Sequence, residues 1–107
     1  MEDPAAIRAE QLLTLSGAAR RLADIIAASD HPVRYEVLRH LLRVSEETMT
    51  EVLEESVHVR LVKRGDDPFT YVPYSTEVAA GIAAHMDIER RDLIRRQIVS
   101  ATARVFE

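Results

Sequence analysis

The sequence predicts a single, mainly α-helical domain in which a short β-hairpin interrupts a run of helices. Three observations lead there. Apolar residues recur at helical spacing over most of the 107 residues. Ser16, Ser45, Ser75 and Asp87 each stand just ahead of such a run, where a short polar side chain can accept from the first free backbone N–H groups. Gly65-Asp66-Asp67-Pro68 separates two β-like runs and has the composition of a turn.

In chain order, Asp3 followed by Pro4 marks the start of a first helix that runs to about Leu15, anchored by Ile7, Leu12, Leu13 and Leu15. Ser16 caps a second helix to about Ala28, with Ala18, Leu22, Ile25 and Ile26 as its stripe. Ser29-Asp30-His31-Pro32 is a turn that opens a third helix, about Val33 to Arg43, whose core-facing side is Val33, Val37, Leu38, Leu41 and Leu42. Ser45 caps a fourth helix with Glu46 and Glu47 in its first turn, where the helix dipole favours acids, and with Met49, Val52, Leu53 and Val57 as its stripe. Val59 to Arg64 and Phe69 to Tyr74 read as the two strands of a hairpin, and strand alternation puts Phe69 and Tyr71 on one packed face. A helix from about Thr76 to His85 and a last one from about Ile88 to Phe106 complete the chain, the latter with the stripe Ile94, Ile98, Ala101 and Val105. The expected core is Leu22, Ile25, Ile26, Val37, Leu38, Leu41, Leu53, Leu61 and Ile82, and the stripe of the last helix is expected to bury against Ile7, Leu12 or Leu13, within one chain or across a dimer.

Helices closed by a two-stranded wing have the winged helix-turn-helix order, with extra N- and C-terminal helices. The whole of 1–107 reads as one such domain: N-terminal helices over 1–28, the helix-turn-helix and wing over 29–74, and C-terminal helices over 75–107. The third strand that such folds often have is not assigned by the sequence.

Composition bounds the function. The formal charge is −4, against the basic balance usual for a domain that binds phosphate backbones. There is no cysteine, so disulfides and thiolate metal sites are excluded. No apolar run approaches the roughly 20 residues of a membrane helix. Met1-Glu2-Asp3-Pro4 is acidic and lacks the basic region of a secretory signal, so a cytoplasmic location is expected. His31, His40, His58 and His85 fall on four different predicted elements without zinc-site spacing, and no serine sits in a Gly-x-Ser-x-Gly context. No catalysis, cofactor or metal is predicted.

The segment from Leu15 to Ala103 resembles the winged-helix part of STAND-type regulatory ATPases, among them LuxR-type and maltose-activator-type transcription regulators. The residues that carry the resemblance are Leu15-Ser16-Gly17-Ala18-Ala19-Arg20-Arg21-Leu22, Val52-Leu53-Glu54-Glu55 leading into Arg60-Leu61-Val62-Lys63-Arg64, the run Asp66-Asp67-Pro68-Phe69-Thr70-Tyr71, and Glu89-Arg90-Arg91-Asp92-Leu93-Ile94-Arg95-Arg96. The resemblance implies a non-catalytic module that relays conformational change to a protein partner or an adjoining ATPase domain. Val72 and Pro73 follow Tyr71 where that family often places a nucleotide-sensing histidine, so that role is not carried over, and Ile94 stands where the family tends to have a histidine in its final helix. The chain also has no Gly-rich phosphate loop of its own. Ser29-Asp30-His31-Pro32-Val33-Arg34-Tyr35-Glu36-Val37-Leu38 is similar to the opening of ArsR-type repressors, which implies a dimeric DNA-binding regulator without that family's metal-binding cysteines.

The two readings assign different residues. The helix that would enter a DNA groove carries Glu46, Glu47, Glu51, Glu54 and Glu55 and no Lys or Arg between Ser45 and Val57. Phosphates repel such a face, and base edges are read mostly by Arg, Lys, Asn or Gln. Glu47, Glu51, Glu54 and Glu55, with Arg91 and Arg95 of the last helix, are therefore the candidate partner contacts. In the DNA-binding alternative the contacts are Thr48, Thr50, Arg60, Lys63 and Arg64. For the arginines of the last helix, the simpler expectation is a solvated face with local pairs to Asp87, Glu89 and Asp92.

Overall fold

A computed structural model describes residues 16–106. These form α1 (Gly17–Ala28), β1 (Val33–Arg34), α2 (Tyr35–Leu42), α3 (Glu46–His58), β2 (Val62–Arg64), β3 (Thr70–Pro73), α4 (Thr76–Ala83) and α5 (Ile88–Val105). The fold is mainly helical, with one small antiparallel sheet of order β1-β3-β2. The first predicted helix, with Ile7, Leu12 and Leu13, lies outside the described residues. None of the described helices is long and apolar enough to cross a membrane.

The caps are local chemistry and fall where the sequence places them. The side chains of Ser16, Ser45, Ser75 and Asp87 accept from the backbone N–H groups of Ala19, Thr48, Val78 and Arg90, at the starts of α1, α3, α4 and α5. α1 is the central helix. It contacts every other described helix and β3, and Ala19, Leu22, Ala23, Asp24, Ile25, Ile26 and Ala28 are all buried. A helix closed in on nearly every side belongs in the middle of a core. Around it stand Val37, Leu38 and Leu42 of α2, Met49, Val52 and Leu53 of α3, and Val78 and Ile82 of α4.

Several expectations are corrected. Val33 and Arg34 are not the start of a helix but the third strand, pairing with Tyr71 and Thr70. Pro32 has no N–H to give, Arg34 is extended, and the Tyr35 N–H donates to the Phe69 carbonyl at 2.9 Å, so the helix begins only at Tyr35. In α2 the buried position is Leu42, while Leu41 is half-buried at the rim of the core. In α3, Val57 is 44% exposed and Ser56 is fully buried in its place, its hydroxyl donating to the Val52 carbonyl at 2.8 Å. Phe69 is 60% exposed and Tyr71 buried. Phe69 precedes the strand, so strand alternation does not govern it.

Val59 and Arg60 belong to the end of α3 rather than to a strand. The Leu61 N–H donates to the Ser56 carbonyl and the Arg60 N–H to the Val57 carbonyl, both at 3.0 Å. This is a Schellman closure with Arg60 in the left-handed region at φ 61°. A side chain costs energy there and glycine does not. Arg60→Gly is therefore expected to raise stability by about 0.5 kcal/mol, seen as a higher urea midpoint. A lower midpoint would mean that the Arg60 side chain makes contacts worth more than the backbone strain. Gly65 answers a different need. A Cβ there would meet the Thr70 hydroxyl at 2.5 Å, and its N–H donates to the Thr70 carbonyl at 2.9 Å. The hairpin loop is held by Asp67, whose carboxylate accepts from the Phe69 N–H at 2.9 Å and whose carbonyl accepts from the Thr70 hydroxyl at 2.7 Å.

α5 packs on α1 and α2. Ile94 and Ala101 are buried, and Ile98 and Val105 are half-buried.

Candidate protein-interaction site

The side of α3 away from Met49, Val52, Leu53 and Ser56 faces solvent, so the helical period that sends those four into the core sends the carboxylates out. Glu46, Glu47, Glu51 and Glu54 are exposed. Glu46 lies 3.8 Å from Arg39. Glu47, Glu51 and Glu54 have no ion-pair partner among the described residues. Glu55 is placed differently. Its two oxygens accept from the Ser16 N–H and the Ser16 hydroxyl, both at 3.1 Å, tying the start of α1 to the end of α3.

The residues of the DNA-contact set are close to this face but do not form a cationic surface on it. Thr48 is held by Ser45, with oxygens 3.1 Å apart, and the Thr50 hydroxyl donates back to the Glu46 carbonyl at 3.0 Å. Lys63 and Arg64 project from β2 as exposed cations, and the Lys63 ammonium sits 6.0 Å from the centre of the Tyr74 ring. Between α3 and the hairpin runs a groove of about 410 Å³ lined by Thr50, Leu53, Glu54, Arg64 and Phe69 among others. A carboxylate and a guanidinium thus share its walls, with an exposed phenyl ring at its mouth.

Two arginines of α5, Arg90 and Arg95, are engaged at long range rather than with Asp87, Glu89 and Asp92. Arg90 Nη2 lies 3.0 Å from Oδ2 of Asp24, whose side chain is only 6% exposed in the middle of α1. Arg95 donates from Nε to the Ala28 carbonyl at 2.7 Å and from Nη2 to Asp30 at 3.0 Å, closing the end of α1. Arg96 makes the local contact, to the Asp92 carbonyl at 3.4 Å. Arg91 is half-buried, and its Nε is buried without a hydrogen-bond partner among the described residues. Arg91 and Arg95 are therefore not one shared outward patch.

Two features go beyond the sequence-based expectations. The first is Asp24, a carboxylate inside the apolar run Leu22-Ala23-Asp24-Ile25-Ile26; a charge in that position is a signal in itself, because buried carboxylates need a partner. The second is a cleft of about 640 Å³ between α1, α2 and α5 that gathers Arg21, Arg43, Arg90, Arg104 and His40 over Ile25, Leu41, Leu93 and Ile94, with no carboxylate among its described lining residues. Its cations come from three helices, so no window of sequence displays them together. The four histidines are all exposed, and no cluster among the described residues has the makings of a metal site.

Comparison with protein-family models, with curated proteins and with solved structures finds no match to this chain.

Proposed function

We propose that this chain is a non-catalytic winged helix-turn-helix module that acts through protein contacts, as the corresponding part of regulatory ATPases does in controlling transcription. The order helix, strand, helix, helix, strand, strand, with the sheet order β1-β3-β2, supports the winged-helix reading. The observation that carries the function is the outer face of α3. Glu47, Glu51 and Glu54 are exposed and have no ion-pair partner among the described residues, on the helix that a DNA-binding relative would lay in the major groove. A protein surface rich in arginine complements this face, and a polyanion does not. The partner is either another protein or an adjoining ATPase domain.

The test is a titration with duplex DNA at physiological salt. Binding is expected to be weak and the same for random and genomic sequence, because three nearby cations, Arg60, Lys63 and Arg64, cannot both offset the acids of α3 and read base edges. The variant Glu47→Gln/Glu51→Gln/Glu54→Gln is expected to bind DNA more tightly and an arginine-rich peptide less tightly than the native chain. Submicromolar, sequence-dependent affinity that disappears in Thr48→Ala or Thr50→Ala would replace this reading with that of a dimeric DNA-binding regulator.

A further inference from the structure

We infer that the cleft between α1, α2 and α5 is a second docking site, for an acidic amphipathic peptide segment of a partner protein. The cleft has two kinds of wall. Arg21, Arg43, Arg90 and Arg104 supply guanidinium groups, and Leu41 and Leu93 supply apolar surface. Two of the arginines are already engaged: Arg21 donates to the Leu41 carbonyl at 3.0 Å and Arg90 to Asp24. Arg43 and Arg104 are exposed and have no ion-pair partner among the described residues. They are the groups left to receive a ligand.

The chemistry of the occupant comes from the mixture. A guanidinium fork pairs a carboxylate through two parallel hydrogen bonds, so the ligand is anionic. A bare phosphate would leave the apolar wall wet, whereas a peptide whose carboxylates flank a leucine-like side chain covers both walls. A nucleic-acid backbone carries its charge far beyond the cleft and meets a molecule with a formal charge of −4 and an acidic α3. A short acidic segment engages the local cations alone. The volume of about 640 Å³ suits a few side chains. The Arg43 backbone is itself unusual: it ends α2 in the left-handed region, φ 55° and ψ 47°, although it is not glycine. Any side chain is costly in that conformation, and the residue kept there is one that lines the cleft. The cleft is separate from the acidic face of α3, so the two sites can engage partners of opposite charge.

The experiment uses fluorescence anisotropy with the full chain and a labelled helical peptide carrying glutamates around leucines. Matched peptides replace every glutamate by glutamine or every leucine by serine. The glutamine peptide is expected to bind about tenfold more weakly, and so is the serine peptide, each change removing about 1.4 kcal/mol. Arg43→Gln/Arg104→Gln should weaken binding of the acidic peptide by about tenfold at low salt, through the loss of two exposed ion pairs. Arg96→Gln, whose position is outside the cleft lining, and Glu47→Gln/Glu51→Gln/Glu54→Gln should leave the affinity unchanged, which separates this site from the α3 face. Absence of binding, equal binding of the glutamine peptide, or full affinity in Arg43→Gln/Arg104→Gln would overturn the inference. Displacement of the peptide by pyrophosphate or duplex DNA at lower concentration than by unlabelled peptide would overturn it too, by making the cleft a phosphate site.

Discussion

Leu22→Ala or Leu38→Ala is expected to cost about 2–5 kcal/mol of folding free energy, and Leu41→Ala distinctly less. Leu22 and Leu38 have no solvent exposure at all and lie in the shared core of α1 and α2. Truncation there removes apolar contact on every side and leaves a void that close-packed neighbours cannot refill. Leu41 is one residue away from Leu42 and reads as equally apolar, but it lies half-buried on the wall of the cationic cleft. Water already reaches one side of it, so there is less transfer free energy to lose. Urea unfolding followed by far-ultraviolet circular dichroism gives the comparison directly. Equal losses for Leu41→Ala and Leu38→Ala would place Leu41 in the core and contradict its position at the rim.

Arg90→Ala is expected to cost about 2–4 kcal/mol, while Asp24→Ala stays within about 1 kcal/mol of the native chain. The asymmetry comes from where the two charges sit. The Asp24 side chain is 6% exposed and that of Arg90 50% exposed. Without Arg90, the carboxylate remains in the core with its described cation gone, and a buried charge without compensation is expensive. Without Asp24, the guanidinium turns to water at little cost, and an alanine suits the interior of α1. Arg90→Ala/Asp24→Ala should therefore recover most of the stability lost in Arg90→Ala. A double-mutant cycle on the urea midpoints checks this; strict additivity of the two single changes would show that the pair is not coupled.

The starts of α1, α3, α4 and α5 are legible in the sequence because each is decided within four residues, whereas that of α2 follows from strand pairing with a distant segment. Ser16, Ser45, Ser75 and Asp87 each bond to a backbone N–H three residues on, whatever the rest of the chain does. The hairpin loop is legible for the same reason, since Asp67 bonds to Phe69 and Thr70. The acidic face of α3 is readable too: the helical period that assigns Met49, Val52 and Leu53 to the core necessarily sends Glu47, Glu51 and Glu54 outward. A stripe can be one residue wide of its true position, as with Val57 for Ser56, or one residue too broad, as with Leu41 beside the buried Leu42. There two adjacent apolar or small residues satisfy the same period, and only the angle at which the helix meets its neighbours chooses between them.

The helical class, the caps, the turn and the sign of charge on the outer face of α3 are thus settled by neighbours within one or two turns of chain. The remaining features exist only through packing. A two-residue strand such as Val33–Arg34 has too few positions to show alternation, and forms because Thr70 and Tyr71 offer it a ladder. The pairs Arg90 with Asp24, Arg95 with Asp30 and Ser16 with Glu55 join residues 66, 65 and 39 positions apart. Which charge meets which at such separations is set by how α1, α3 and α5 cross, and the same packing that ties Arg90 to Asp24 and Arg95 to Ala28 and Asp30 leaves Arg43 and Arg104 at the cleft with no ion-pair partner among the described residues. A linear charge pattern carries the number of arginines but not the packing geometry that consumes some of them and exposes others.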